Sequence, residues 1–198
     1  MNTPTHIVVA LAVLARRGDA PRNRAAFAGA LVPDIAIYLW APWQRWVAGR
    51  EWGEIWDQLY FEPPMQTAIA LINSVPIYAA LALLGWVRRG TVWGRLLLVF
   101  ALAALLHIAL DLPVHADDAY RHFWPVSDWR FHSPISYWEA DKGARWVSAV
   151  EFILVAACTV LLWRRFPKLW TRLLLALAVL LALGLALAQQ LASIQVPN

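Results

Sequence analysis

Residues 96–115 read LLLVFALAALLHIALDLPVH. The first eleven, Leu96 to Leu106, contain no polar side chain. A helix needs about 20 such residues, each rising ~1.5 Å, to cross a ~30 Å hydrocarbon layer. The run therefore reads as a membrane span over 96–112, ended by Pro113, whose ring and missing N–H stop a helix. Its far end carries His107 and Asp111, four residues apart and so on one helix face.

Working outward, three more runs have similar length: 67–87, 147–163 and 173–192. A shorter one, 25–41, contains Pro33 and Asp34. The first apolar stretch, 6–15, is too short to cross and reads as a half-helix that neighbouring helices must bury. Composition agrees: of 198 residues, 61% are hydrophobic and 15% charged, whereas soluble domains carry about 25% charged residues. The fold class expected is an all-α integral membrane protein. About five transmembrane helices, a short N-terminal half-helix and an ordered Trp-rich outer cap make one membrane-embedded domain over 1–198.

The net charge of +4 does not point to nucleic acid, because the arginines sit in short clusters between apolar runs. Arg16, Arg17, Arg22 and Arg24 form the first cluster, Arg88, Arg89 and Arg95 the second, and Arg164, Arg165, Lys168 and Arg172 the third. Placing all three in the cytoplasm makes the spans alternate without contradiction. Residues 42–66 and 113–145 then face the opposite, outer side. Trp86, Trp93, Trp163 and Trp170 flank two of the clusters, as interfacial aromatics do. The apolar stretch precedes Arg16–Arg17, the reverse of a cleavable signal. Cys158 is the one cysteine, which leaves no disulfide framework.

Counting from the Arg clusters at ~1.5 Å per residue sets the depth of each polar group. His6 and Asp34 lie ~15 Å in, His107 ~18 Å, Glu151 ~20 Å, Asn73 ~22 Å and Asp111 ~24 Å. Five segments thus place polar groups in one slab. Three unpaired carboxylates there, Asp34, Asp111 and Glu151, would together cost roughly 8–10 kcal/mol. No Lys or Arg lies within these runs to neutralise them. A divalent cation would, since carboxylate and neutral imidazole are its ligands. Beyond Pro113, His115, Asp117, Asp118 and His122 are able to close such a site from the water side. Simpler roles exist for several of these. Asp34 can cap the break forced by Pro33, Glu151 can be a hydrogen-bonded protonated acid, and Asp117 with Asp118 can form a solvated turn. Asn73 and Ser74 can bond across helices.

Thr5-His6, Val32-Pro33-Asp34 and His107-x-x-x-Asp111 followed by Trp124-Pro125 resemble the bacterial YdjM-type membrane-bound metal-dependent hydrolases. That family is weakly similar to the zinc-dependent phospholipase C and single-strand nuclease superfamily. The likeness spans roughly residues 1–131. It implies His6, Asp34, His107 and Asp111 as metal ligands; His115 and His122 are further candidate ligands by their place in the outer connection, not by the resemblance. The chain departs from the family pattern at Asn73, which stands where a second histidine is usual, and no histidine lies between His6 and His107.

The function expected is hydrolysis of a lipid-like ester or phosphoester near the outer interface. One or two divalent ions, zinc foremost, would serve it. Glu151, Asp117 or Asp118 would act as general base, and membrane lipid rather than nucleic acid would be substrate or ligand. A lipid-binding scaffold with a degenerate site and an ion or proton pathway are the competing classes.

Overall fold

A computed structural model describes residues 1–195; the last three residues of the expected single unit lie outside the described residues. The chain is helical, with no strand among the described residues. Five helical stretches are long and apolar enough to cross a membrane: Ala20–Trp46, Pro63–Val87, Val92–Val114, Ala144–Arg165 and Leu169–Leu191. Helix α1, Thr3–Leu14, is the short one. At 12 residues it extends ~18 Å, about half a bilayer.

Two of the spans are broken helices, and the sequence explains where. The first runs as α2 (Ala20–Leu31), a 3-10 turn over Val32–Asp34, then α3 (Ile35–Trp46). Pro33 removes an intrahelical donor at the break. This span is longer than the 25–41 read from apolar content, because helix α2 begins within the Arg-rich segment at Ala20, where Asp19 accepts from the Arg22 amide. A short helix α4 (Trp52–Asp57) follows. The next span splits into α5 (Pro63–Ile72) and α6 (Val75–Val87) at Asn73–Ser74, where the Ser74 hydroxyl caps α6 by accepting from Ile77 N. The unbroken spans are α7 (Val92–Asp111), α8 (Ala144–Arg165) and α9 (Leu169–Gln195).

Small residues let α2 lie against α7. Ala26, Ala30, Ala101, Ala103 and Ala104 are fully buried. A Cβ built on Gly29 would sit 2.1 Å from the Phe100 carbonyl oxygen. In lipid, where apolar burial does not drive association, such close backbone approach supplies the packing. Helix α1 is wedged among α2, α7 and α8, and its Val8, Val9 and Ala12 join Val155, Cys158 and Leu175 in a core cluster. Helix α9 packs chiefly on α8 and leaves Leu174, Leu180, Leu187 and Leu191 exposed, a lipid-facing surface.

The three Arg clusters share one end of the bundle: Arg95 lines a cavity with Arg16 and Arg22, and Arg165 lines another with the same two. Arg88 stacks over Trp93, Arg89 over Trp86 and Arg172 over Trp163. At the opposite end the connections around α4 and over residues 115–143 form the Trp-rich cap. Their anchoring bonds are Ser133 N to His115 O, Tyr137 N to Val114 O and Val75 N to His122 O.

Candidate metal centre

Two helices carry the central group. α1 supplies His6 one turn after its start, and α7 supplies His107 and Asp111 at its end. All three side chains are buried, and their ligand atoms lie within 4.8 Å of one another. The two imidazoles are stacked, with centroids 3.6 Å apart. His6 Nε2 is 3.0 Å from Asp111 Oδ1, and His107 Nε2 is 3.1 Å from Asp111 Oδ2. Asp34 Oδ1 lies 3.5 Å from His107 Nε2, and Asp111 Oδ1 lies 3.6 Å from His115 Nε2. The Met1 amino group also contacts Asp111 Oδ1.

These distances alone would also suit protonated imidazoles paired with carboxylates. One feature favours an ion. Neither Nε2 makes a hydrogen bond despite its short separation from Asp111, and His6 Nδ1 likewise has no partner among the described residues. A buried N–H left unpaired costs a few kcal/mol. Nitrogen lone pairs converging on a shared ion need no such alignment with each other. Two ligands about 2.1 Å from one tetrahedral ion are themselves roughly 3.4 Å apart, within the 3.0–3.6 Å spread seen here. The residues fit a metal ion, and this His6–His107–Asp111 group can hold one.

The surroundings of the rings fit the same chemistry. His107 Nδ1 donates to the Ala30 carbonyl at 2.7 Å, which leaves the lone pair on Nε2. His115 Nδ1 donates to Asp118 Oδ2 at 2.8 Å, turning its Nε2 toward Asp111. Ligating histidines are commonly fixed this way through the second ring nitrogen. His6 departs from that pattern. Burial pulls the His115 imidazole down, but the carboxylates of Asp111 and Asp118 together hold it above its ordinary value.

The remaining sequence candidates are placed differently. Asp34 is half-buried beside the group, and its Oδ2 accepts from the Thr3 hydroxyl, which accepts from Tyr38 at 2.8 Å. Glu151 is buried but turned to the start of α1, accepting from Asn2 N at 2.7 Å and Asn2 Nδ2 at 2.8 Å. A carboxylate there satisfies donors at the positive end of the helix and ties the start of α1 to α8. Asp118 stands behind His115 as an orienting acid. Asp117 is exposed and tied to Lys142 at 2.5 Å. His122 lies outside the convergent group, its Nδ1 donating to the Asn73 carbonyl at 3.1 Å. Burial holds the His122 imidazole below its usual value. Asn73 braces the break beside Asp34: its Nδ2 donates to Pro33 O at 2.9 Å, while its Oδ1 is buried without a hydrogen-bond partner among the described residues.

Asn2, Thr3 and Tyr38 were not among the sequence candidates. Asn2, ahead of the Thr-Pro start of a helix, carries a cap signature that points to its position; the other two have no signal beyond polarity. A cavity of about 520 Å³ reaches the centre between α3 and α9, bordered by Tyr38, Trp56, Asp111, Tyr137 and Leu181. A neighbouring space of about 420 Å³ shares Trp56 and Tyr137 and adds Tyr60, Phe61 and Trp138. Burial raises the Tyr120 and Tyr137 phenols well above their ordinary values, so both stay neutral O–H groups along the cavity.

Metal binding is linked to folding when it neutralises buried acid. Detergent-purified protein stripped with chelator should melt roughly 5–10 °C lower than the metal-loaded form, the shift for ligand near a hundred times its Kd. Added zinc should restore the melt. An unchanged melt after verified stripping would mean that hydrogen bonds and ion pairs hold the cluster without a metal.

No protein-family model, curated protein or solved structure matches the chain.

Proposed function

We propose that this protein is a membrane-embedded, metal-dependent hydrolase acting on a lipid-like ester or phosphoester. The observation that carries the reading is the convergence of His6, His107 and Asp111, in which both His6 ring nitrogens and His107 Nε2 are buried without a hydrogen-bond partner among the described residues. Two imidazoles and one carboxylate suit zinc, and three protein ligands leave a position for water or substrate, as in catalytic zinc sites. When bound, such an ion polarises an ester oxygen and lowers the pKa of a water toward 7. His6, His107 and Asp111 would hold it. Asp34, at the cavity side and held by Thr3, would add an oxygen ligand, and an ion expanded to five-coordinate would still have a position for water or substrate. Of the acids considered as base, Asp118 is the one adjoining the group, and it acts as a positioning residue for His115.

The cavity supports a lipid substrate. Its walls combine aromatic rings with Leu181 and Leu185, α9 residues that are themselves exposed on the lipid side. A head group would enter beside Asp34 while its chains remain among apolar walls. The test uses vesicles containing ester and ether phospholipids, with protein loaded with zinc or stripped. Mass spectrometry should find head-group or fatty-acid release with zinc alone, and release equal to a protein-free blank in both states would end the reading.

The Arg end is assigned to the cytoplasm of a bacterial inner membrane by the excess of positive charge in its short loops, so the centre opens toward the periplasm. Cysteine placed at Gly90 should resist an impermeant thiol reagent in intact cells, and one at Ala140 should label. The reverse pattern would invert the site.

A further inference from the structure

A second polar cavity, of about 390 Å³, lies at the Arg end, where α1 finishes against α2 and α8. It is about 14 Å along α1 from His6 and independent of the metal centre. Its polar wall is four arginines, Arg16, Arg17, Arg22 and Arg165, and no carboxylate lines it. Guanidinium is charged at every physiological pH, so four positive charges border one space.

Two of the four are fixed there. Arg165 Nη1 donates to the carbonyls of Leu11, Ala12 and Ala15 at 3.3, 2.9 and 2.8 Å. Arg22 Nε donates to the Leu14 carbonyl at 2.6 Å. These bonds occupy the carbonyls at the negative end of α1, which would otherwise repel an anion. Asp19 accepts from the Arg22 backbone and lines the adjoining space, where Arg16 and Arg22 meet Arg95. The Trp86, Trp93 and Trp163 rings beneath Arg89, Arg88 and Arg172 mark this end as the bilayer interface. Lipid phosphates lie at that level, and basic pockets between transmembrane helices bind anionic head groups.

We propose that this arginine cradle binds a phosphate group through Arg16, Arg17, Arg22 and Arg165, and that a negatively charged phospholipid head group supplies it. Arg16 and Arg17 are exposed and free to close over the phosphate, while Arg22 and Arg165 form its fixed floor. The bound lipid would brace the α1–α2 corner.

The test titrates full-length protein in neutral detergent, at fixed ionic strength, with phosphatidylglycerol, phosphatidylcholine or inorganic phosphate, read by native mass spectrometry and thermal melting. Phosphatidylglycerol should bind at least tenfold tighter than phosphatidylcholine. Arg16→Gln with Arg17→Gln should lose that tenfold preference, and Arg88→Gln with Arg89→Gln, the same charge change elsewhere at this end, should keep it. Should the first pair fail to fold, Arg17→Gln alone should show a smaller loss in the same direction. Inorganic phosphate competing at equal phosphate concentration would keep the site and make a soluble anion its source. Equal binding of phosphatidylcholine, or an equal loss in the Arg88/Arg89 variant, would overturn the proposal.

Discussion

Replacing His107 by alanine is expected to remove bound metal from the purified protein. His107 is central to the group: its Nε2 lies 3.1 Å from Asp111 and 3.5 Å from Asp34, and its ring stacks on His6. Changes to residues that merely orient ligands weaken metal binding by about 10–100-fold, so loss of a ligand should exceed 100-fold. Asp111→Ala should do the same, and Asp111→Asn, which keeps the shape, separates loss of charge from loss of packing. His132→Ala is the control. His132 is exposed and its Nδ1 donates to the Ala116 carbonyl at 2.8 Å, away from the group. Glu151→Gln should retain the metal and lower the melting temperature, because its carboxylate holds Asn2 at the start of α1. The measurement is elemental analysis of metal per chain after dialysis. A full complement in His107→Ala would remove the basis of the metal centre and of the hydrolase reading with it.

The second large effect arises away from any ligand. Gly29→Ala should both destabilise the protein and weaken its metal binding. The added Cβ meets the Phe100 carbonyl oxygen at 2.1 Å, and that oxygen belongs to a regular helix backbone that cannot turn aside. α2 must move outward instead. Overpacking of this kind costs about 1–3 kcal/mol. The movement also carries away the next residue, Ala30, whose carbonyl holds His107 Nδ1 at 2.7 Å. With that bond lengthened the ring loses its orientation, and metal affinity should fall by about 10–100-fold, as for other orienting partners. Gly184→Ala is the matched control: nothing lies within 4 Å of its added Cβ, and alanine is the better helix former. Equal melting temperature and metal content in Gly29→Ala and the parent would show that α2 and α7 are not held together at this point.

What the sequence determined by itself is the part governed by distance along a helix. Apolar run length set the spans, because a bilayer has one thickness, and all five reappear in the structure. Arginine position set depth, because rise per residue is constant. His6, Asp34, His107 and Asp111 were thereby placed in one slab, and the tertiary structure brings those four together. Depth carries no information about direction around the axis of a separate helix. Glu151 shares the slab, yet its side chain meets Asn2, because α8 packs beside the start of α1. Asn73 shares it too, but bonds to Pro33 at the break between α2 and α3. The cap residues had no helical ruler at all. Whether Asp118 or Asp117 faced inward depended on how residues 115–143 folded back over the bundle, and only the tertiary structure turned Asp118 onto His115 and left Asp117 with Lys142. The α2–α7 contact was equally hidden: Gly29 and Ala30 gain their importance from a carbonyl oxygen and a ring nitrogen about seventy residues later in the chain. Backbone carbonyls look alike in every sequence, so packing alone decided which one would hold His107.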